Sequence, residues 1–295
     1  MIIDLNFLKQ LQNLEIVTKK KVSNIYAGYK RSLLLGKGVE PEDYREYYYG
    51  DDFRAVDWKL YARTEKLYIR RFSEDKDLSI HILLDSSKSM DFSFIGVKKF
   101  HFAANLAAAL AFVSIAKNER FGAGIFSNRL VEVLHLSKSR KNFFKFIELL
   151  NSMKLQGKTN ISESFEQYSK HIKSRSLLFI ISDFLDDLNS IRKGIFIAAR
   201  KVSEGAAIQI LDPAELKLPW REDIEFLDLE MQKEKKTYIT PKFNEEYESK
   251  VRDHILKVEK ICKDAGLDHM LLTTEKELLD SFLALLGRKI LMETT

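Results

Sequence analysis

Ser79-Ile-His-Ile-Leu-Leu-Asp85-Ser-Ser-Lys-Ser89 is the part of the chain from which the architecture follows. It begins as a short apolar run ending in an acid, the form of a buried strand whose C-terminal end meets a polar loop. The same form returns in Ser176-Leu-Leu-Phe-Ile-Ile-Ser-Asp183 and in Ala206-Ala-Ile-Gln-Ile-Leu-Asp212. Helical patterns separate these runs: an Ala-rich one over 98–117, then Phe143 to Met153, Ser162 to His171 and Leu188 to Ser203. Phe121-Gly-Ala-Gly-Ile-Phe126 reads as a further strand, and Leu130 to Leu136 as one at a sheet edge. Strands alternating with helices predict an α/β fold with a doubly wound, mostly parallel, Rossmann-type sheet. Function in such sheets gathers in the loops beyond the strands' C-terminal ends. Asp85, Thr159 and Asp183 all fall at positions compatible with that edge.

Outward from this core, Phe7 to Tyr26 carries Leu8, Leu11, Leu14 and Val17 at a helical period, followed by Lys19-Lys20-Lys21. A glycine-punctuated stretch runs from Gly28 to Gly50, and residues 51–78 mix aromatics with charges in the manner of short strands and turns. Beyond the core, Lys242 to Lys263 and Glu275 to Gly287 are amphipathic helix patterns. The expected organisation is a helix plus β-rich element over 1–77, a core over 78–215 and a C-terminal extension over 216–295.

The bulk numbers fit a globular protein: 295 residues, 45% hydrophobic and 31% charged. The 48 Lys and Arg against 43 Asp and Glu leave +5, too small an excess to imply nucleic-acid binding. The single cysteine, Cys262, excludes an intramolecular disulfide and a cysteine-based zinc site. No secretory signal is visible at the start. The apolar stretch Phe102 to Ala116 falls short of the roughly 20 residues of a spanning helix, so a buried helix and a cytoplasmic location are expected.

Asp85-x-Ser87-x-Ser89 sets three oxygen-bearing side chains on alternate positions of one loop. Hard divalent cations prefer such ligands, so a carboxylate and two hydroxyls suit Mg²⁺, with Mn²⁺ or Ca²⁺ as variants. Thr159, in the Gly157-Lys-Thr-Asn160 turn, can add a hydroxyl, and Asp183 a second carboxylate. Hydroxyls are neutral, so few charges remain to balance the ion, which would then take a carboxylate from outside. The plainer reading leaves these hydroxyls as caps of turns and of the helix near Lys98. Lys88, inside the loop, is expected to face solvent.

Asp-x-Ser-x-Ser after a strand, a Thr in a Gly-x-Thr-Asn turn and an Asp ending a later strand resemble, in that order, the metal-ion-dependent adhesion site of von Willebrand factor A domains. Upstream, Tyr44-Arg-Glu-Tyr47, Gly50-Asp-Asp-Phe-Arg-Ala-Val-Asp-Trp-Lys59, Ala62-Arg-Thr64 and Leu67-Tyr-Ile-Arg-Arg-Phe72 resemble a bacterial and archaeal family catalogued as domain of unknown function fifty-eight. Asp212-Pro-Ala-Glu-Leu216 and Asp228-Leu-Glu230 extend that resemblance, which runs from about Gly28 to Leu286. It departs from the family at Pro41 and Lys158. The resemblance implies a von Willebrand factor A-like domain with an N-terminal β-rich insertion, a metal held by Asp85, Ser87, Ser89, Thr159 and Asp183, and a MoxR-type AAA+ ATPase as partner. Arg45, Arg54 and Arg63 alternate with Asp51, Asp52 and Asp57 near Gly50, as for an ion-pair network around Trp58. That motif is either a clasp holding the N-terminal element or a docking surface.

Catalysis has less support. A haloacid-dehalogenase-like pattern would need Asp at position 87, where Ser87 stands. A two-metal nuclease drawing on Asp51, Asp52 and Asp57 would find them inside an arginine-rich run. The six histidines show no metal-ligand spacing, and no phosphate loop or nucleophile elbow occurs. The expectation is a non-enzymatic, metal-dependent protein-binding module; a metal-dependent phosphoesterase using Asp85 and Asp183 is the alternative.

Overall fold

The computed structural model describes residues 2–17, 40–49, 51–73, 79–94, 96–172, 176–219, 223–227, 234–238 and 240–292. Gly50, the Gly28 to Gly38 stretch, Lys19 to Lys21 and Asp228 to Glu230 lie outside the described residues. The chain divides into two units, Ser23–Asp77 and the remainder, Met1–Val22 with Leu78–Thr295.

The larger unit opens with α1 (Leu5–Val17). The sequence grouped this helix with the β-rich element; the structure places it with the core. Phe7 and Leu11 are buried, Phe7 stands edge-on to Phe282, and the Ile2 N–H donates to Asn151 at 2.7 Å.

The smaller unit pairs β1 (Glu40–Glu46) antiparallel with β2 (Tyr68–Ser73). Between them lie a 3₁₀ turn at Phe53–Ala55 and α2 (Trp58–Thr64). Val56 and Ile69 are buried in it.

In the larger unit the chain continues through β3 (Ser79–Asp85), α3 (Lys99–Ala116), β4 (Arg120–Phe126), β5 (Leu130–Ser137), α4 (Arg140–Ser152) and α5 (Ile161–Ser169). It goes on through β6 (Ser176–Ser182), α6 (Leu188–Ala199), β7 (Glu204–Leu211) and the single turn α7 (Pro213–Leu216). The antiparallel hairpin of β8 (Asp223–Leu227) and β9 (Glu234–Tyr238) precedes α8 (Pro241–Asp264), β10 (Asp268–Thr273) and α9 (Leu278–Met292).

The main sheet has the order β10-β7-β6-β3-β4-β5, parallel except for β5, which runs antiparallel at one edge. This is the doubly wound order in which the chain leaves the central strand one way and returns to build the other half. Every residue of β3 and β6 is buried, as continuous apolar runs covered on both faces require. Helices α1, α3, α4 and α9 pack together on one face, and α5, α6 and α8 on the other.

Helix α3 can lie close to the sheet because its buried positions include the small side chains of Ala103, Ala104, Ala107, Ala108, Ala109 and Ala111. By length and composition it could also cross a membrane, yet 78% of it is buried inside the protein. Each fully buried Phe or Leu contributes about 1.5–3 kcal/mol. The expected α/β architecture with an N-terminal antiparallel β-rich part is therefore present. Its winding direction reverses between β3 and β6, and in such sheets function gathers beyond the C-terminal ends of the strands at that reversal.

Candidate metal centre

Asp85 closes β3 and is fully buried. Its Oδ1 accepts the Ser87 N–H at 2.8 Å, and its Oδ2 accepts the Ser182 hydroxyl at 2.6 Å. The Ser87 and Ser89 hydroxyls lie 3.0 Å apart. The loop is fastened from beneath: the Ser86 N–H and hydroxyl both donate to the Phe126 carbonyl, at 2.7 and 2.9 Å. The Gln156 N–H donates to the Ser86 carbonyl, and the Lys88 N–H to the Gly157 carbonyl, at 3.2 and 3.0 Å. These bonds bring the Gly157 to Asn160 turn against the loop. Gly157 has φ +77°, a left-handed conformation that suits glycine.

Thr159, two residues on, is buried, and its Oγ1 has no hydrogen-bond partner. A buried hydroxyl left unpaired costs about 1–3 kcal/mol, and this one stands in the turn that the Lys88 N–H fastens to the Asp85 to Ser89 loop. Asn160 then caps α5 by accepting the Glu163 N–H. Lys88 turns its ammonium to Asp91, at 3.1 Å, and not to the site.

Asp183 follows β6 and is fully buried. Its Oδ1 accepts the Leu185 N–H at 3.1 Å, while its Oδ2 receives the Lys99 ammonium at 2.8 Å. The next residue, Phe184, is fully buried at φ +53°, a conformation costing a non-glycine residue roughly 1–2 kcal/mol. Such strain gathers at functional sites. Its N–H donates to the Ser182 hydroxyl, so one serine ties the Phe184 turn to Asp85.

The sequence reading missed this second layer. Lys99, 0% exposed, bridges Asp183 to Glu215, the latter at 2.6 Å. Glu215 belongs to the capping box of α7, whose N-cap is Asp212. Asp212 is itself fully buried and accepts the Phe94 and Ala214 N–H groups. One ammonium thus stands between the carboxylates of Asp183 and Glu215. Burial lowers the Lys99 pKa, but its two carboxylates outweigh burial and leave it above the ordinary lysine value. Burial and the Asp183 charge push the Asp85 carboxyl up to about 7, against the opposing hydrogen bonds from Ser182 and Ser87. One signal for Lys99 was available: Lys98-Lys99 opens a helix, where the macrodipole disfavours cations.

Among the described residues no three of His, Cys, Asp and Glu group to hold a metal, so a centre here depends on hydroxyls. The donor set fits a hard divalent cation: Asp85, Ser87, Ser89 and the orphaned Thr159 Oγ1, with Asp183 already engaged by Lys99.

The upstream motif differs from the expected network. Arg45 and Asp51 do pair through two bonds of 2.8 and 2.7 Å. Asp52 instead caps the 3₁₀ turn through the Arg54 N–H, and Asp57 caps α2 through the Lys59 and Leu60 N–H groups. Trp58 is 55% exposed and stands edge-on to Tyr61. No ion pair of Arg54 or Arg63 is found among the described residues. A short carboxylate just before a helical turn is placed to accept the turn's free backbone N–H groups.

The model of the family described as "Protein of unknown function DUF58" matches residues 43–257, and the chain belongs to that family. It is 27% identical over 270 residues to the uncharacterized protein Rv1480 of Mycobacterium tuberculosis, covering 90% of this chain and 84% of that one. Among solved structures it is similar to the conserved hypothetical protein BatB from Bacteroides thetaiotaomicron, with 13% identity and a TM-score of 0.48, covering 74% of this chain and 100% of that one. A further similar structure is the SpRpn10 VWA domain, with 11% identity and a TM-score of 0.45, covering 71% of this chain and 95% of that one.

Proposed function

We propose that this member of the DUF58 family is a metal-ion-dependent protein-binding module that takes an acidic side chain from its partner. Asp85, Ser87, Ser89 and Thr159 would hold Mg²⁺ or Mn²⁺ directly, with Asp183 completing the site. The observation that carries the reading is the buried Thr159 hydroxyl, which lacks a partner in the turn bonded to the Asp85 to Ser89 loop. The charge balance supports it. Lys99 occupies Asp183, so Asp85 is the carboxylate left for a 2+ ion. A bound cation would supply an electrophilic position open to an outside carboxylate oxygen. The chain's own residues orient that position: Ser182 and the Ser87 N–H fix the Asp85 carboxylate, and the Gly157 carbonyl fixes the loop.

The resemblance suggests a MoxR-type AAA+ ATPase as the partner, the pair acting in assembly or maturation of another complex in the cytoplasm. With the ATPase as bait, wild-type protein should be retained in Mg²⁺ and released by EDTA. Asp85→Asn and Ser87→Ala should lose retention while still unfolding cooperatively in EDTA, read by thermal melting. Mg²⁺-dependent hydrolysis of a phosphoester by the wild type, absent in Asp85→Asn, would replace this reading with the phosphoesterase.

A further inference from the structure

Beside the Asp85 to Ser89 loop lies a groove of about 560 Å³. One wall is the turn carrying Asn128 and Arg129 between β4 and β5, and the other is Gln156 and Gly157. The walls approach closely, since a Cβ on Gly157 would stand 3.8 Å from the Asn128 side chain. Both are fastened to the loop itself. The Phe126 carbonyl receives Ser86, the Gln156 N–H reaches the Ser86 carbonyl, and the Gly157 carbonyl receives Lys88. The groove therefore lies against the loop that carries Ser87 and Ser89.

Its chemistry is one-sided. No carboxylate lines it. Arg129 and the neighbouring Lys158 are exposed, and neither has an ion pair among the described residues. Asn128 and Gln156 offer both donors and acceptors, as a peptide backbone needs. Val131, 38% exposed, gives the groove an apolar foot.

The geometry points to this groove as the seat for the residues flanking the partner's metal-directed acid, with Arg129 taking a second carboxylate from the same segment. The recognised element is then an acidic peptide carrying two acids, one at the oxygen cluster and one at Arg129. Arginine suits the second position because its planar fork pairs a carboxylate through two bonds. This inference rests on the proposed metal-dependent function.

A phage-displayed random peptide library, panned on the whole chain in Mg²⁺ and in EDTA, tests it alongside calorimetric Mg²⁺ titration. In Mg²⁺ the wild type should enrich peptides with two acids at a fixed spacing. Arg129→Glu should keep the first acid, replace the second with Lys or Arg, and leave Mg²⁺ affinity unchanged. Arg129→Ala should weaken a selected wild-type peptide about two- to fivefold. Enrichment of single-acid peptides, or the same sequences from Arg129→Glu, overturns the groove assignment and leaves the metal site standing. Absence of Mg²⁺ binding in calorimetry overturns the metal reading and this inference with it.

Discussion

Lys99 sets one buried ammonium against two carboxylates, and its removal separates folding from cation binding. Lys99→Met leaves the buried Asp183 and the partly buried Glu215 without their counter-charge. Thermal unfolding in EDTA should show a loss of roughly 3–5 kcal/mol. Added Mg²⁺ should then restore more stability to the variant than it gives the wild type, because Asp183 is released to face the ion. A second residue-scale prediction concerns pH. Asp85 is raised from 3.8 to about 7, so the folded state holds a proton that the unfolded state has released, and this group's contribution weakens as pH rises through that range. His81, buried and lowered from 6.5 to about 4 by burial and by His171, acts oppositely and costs stability as pH falls from 6.5 to 4. The two windows nearly coincide, so they offset one another in the metal-free wild type. Asp85→Asn removes one side. Its stability in EDTA should fall on acidification more steeply than wild type, by up to about 1.4 kcal/mol per pH unit between 7 and 4. Equal slopes in the two proteins would show that Asp85 does not carry a raised pKa.

At the scale of elements, α5 and α6 approach so closely that a Cβ on Gly194 would stand 2.8 Å from the Ile161 carbonyl oxygen. Gly194→Ala should destabilise by about 1–3 kcal/mol, read by chemical denaturation. It should also weaken cation binding, since Ile161 begins the helix that follows Thr159. The elements themselves were largely legible in the sequence. Ser79 to Asp85, Ser176 to Asp183 and Ala206 to Asp212 announced parallel strands because a strand covered on both faces must be apolar throughout. The roles of single acids were less legible. Spacing shows where Asp52 and Asp57 stand, but whether each meets a backbone N–H or a guanidinium depends on the local turn. Lys99 was hidden for a different reason: its partners lie 84 and 116 residues away, and no short-range pattern encodes them.

At the scale of the molecule, the switch in winding direction between β3 and β6 brings Asp85, Asp183 and their serines to one edge of the sheet. The turn before α5 adds Thr159 from a third segment. The sequence could order these three segments along the chain; the fold adds a buried second layer that fixes their charge. The central claim is that this edge is built to hold a divalent cation, and Thr159→Val tests it most directly. In EDTA this variant should unfold at least as late as wild type, since it removes a buried hydroxyl without a partner. In calorimetric titration with Mn²⁺ it should bind at least about tenfold more weakly than wild type. Equal Mn²⁺ affinity in the two proteins, or no binding by the wild type, would contradict the account.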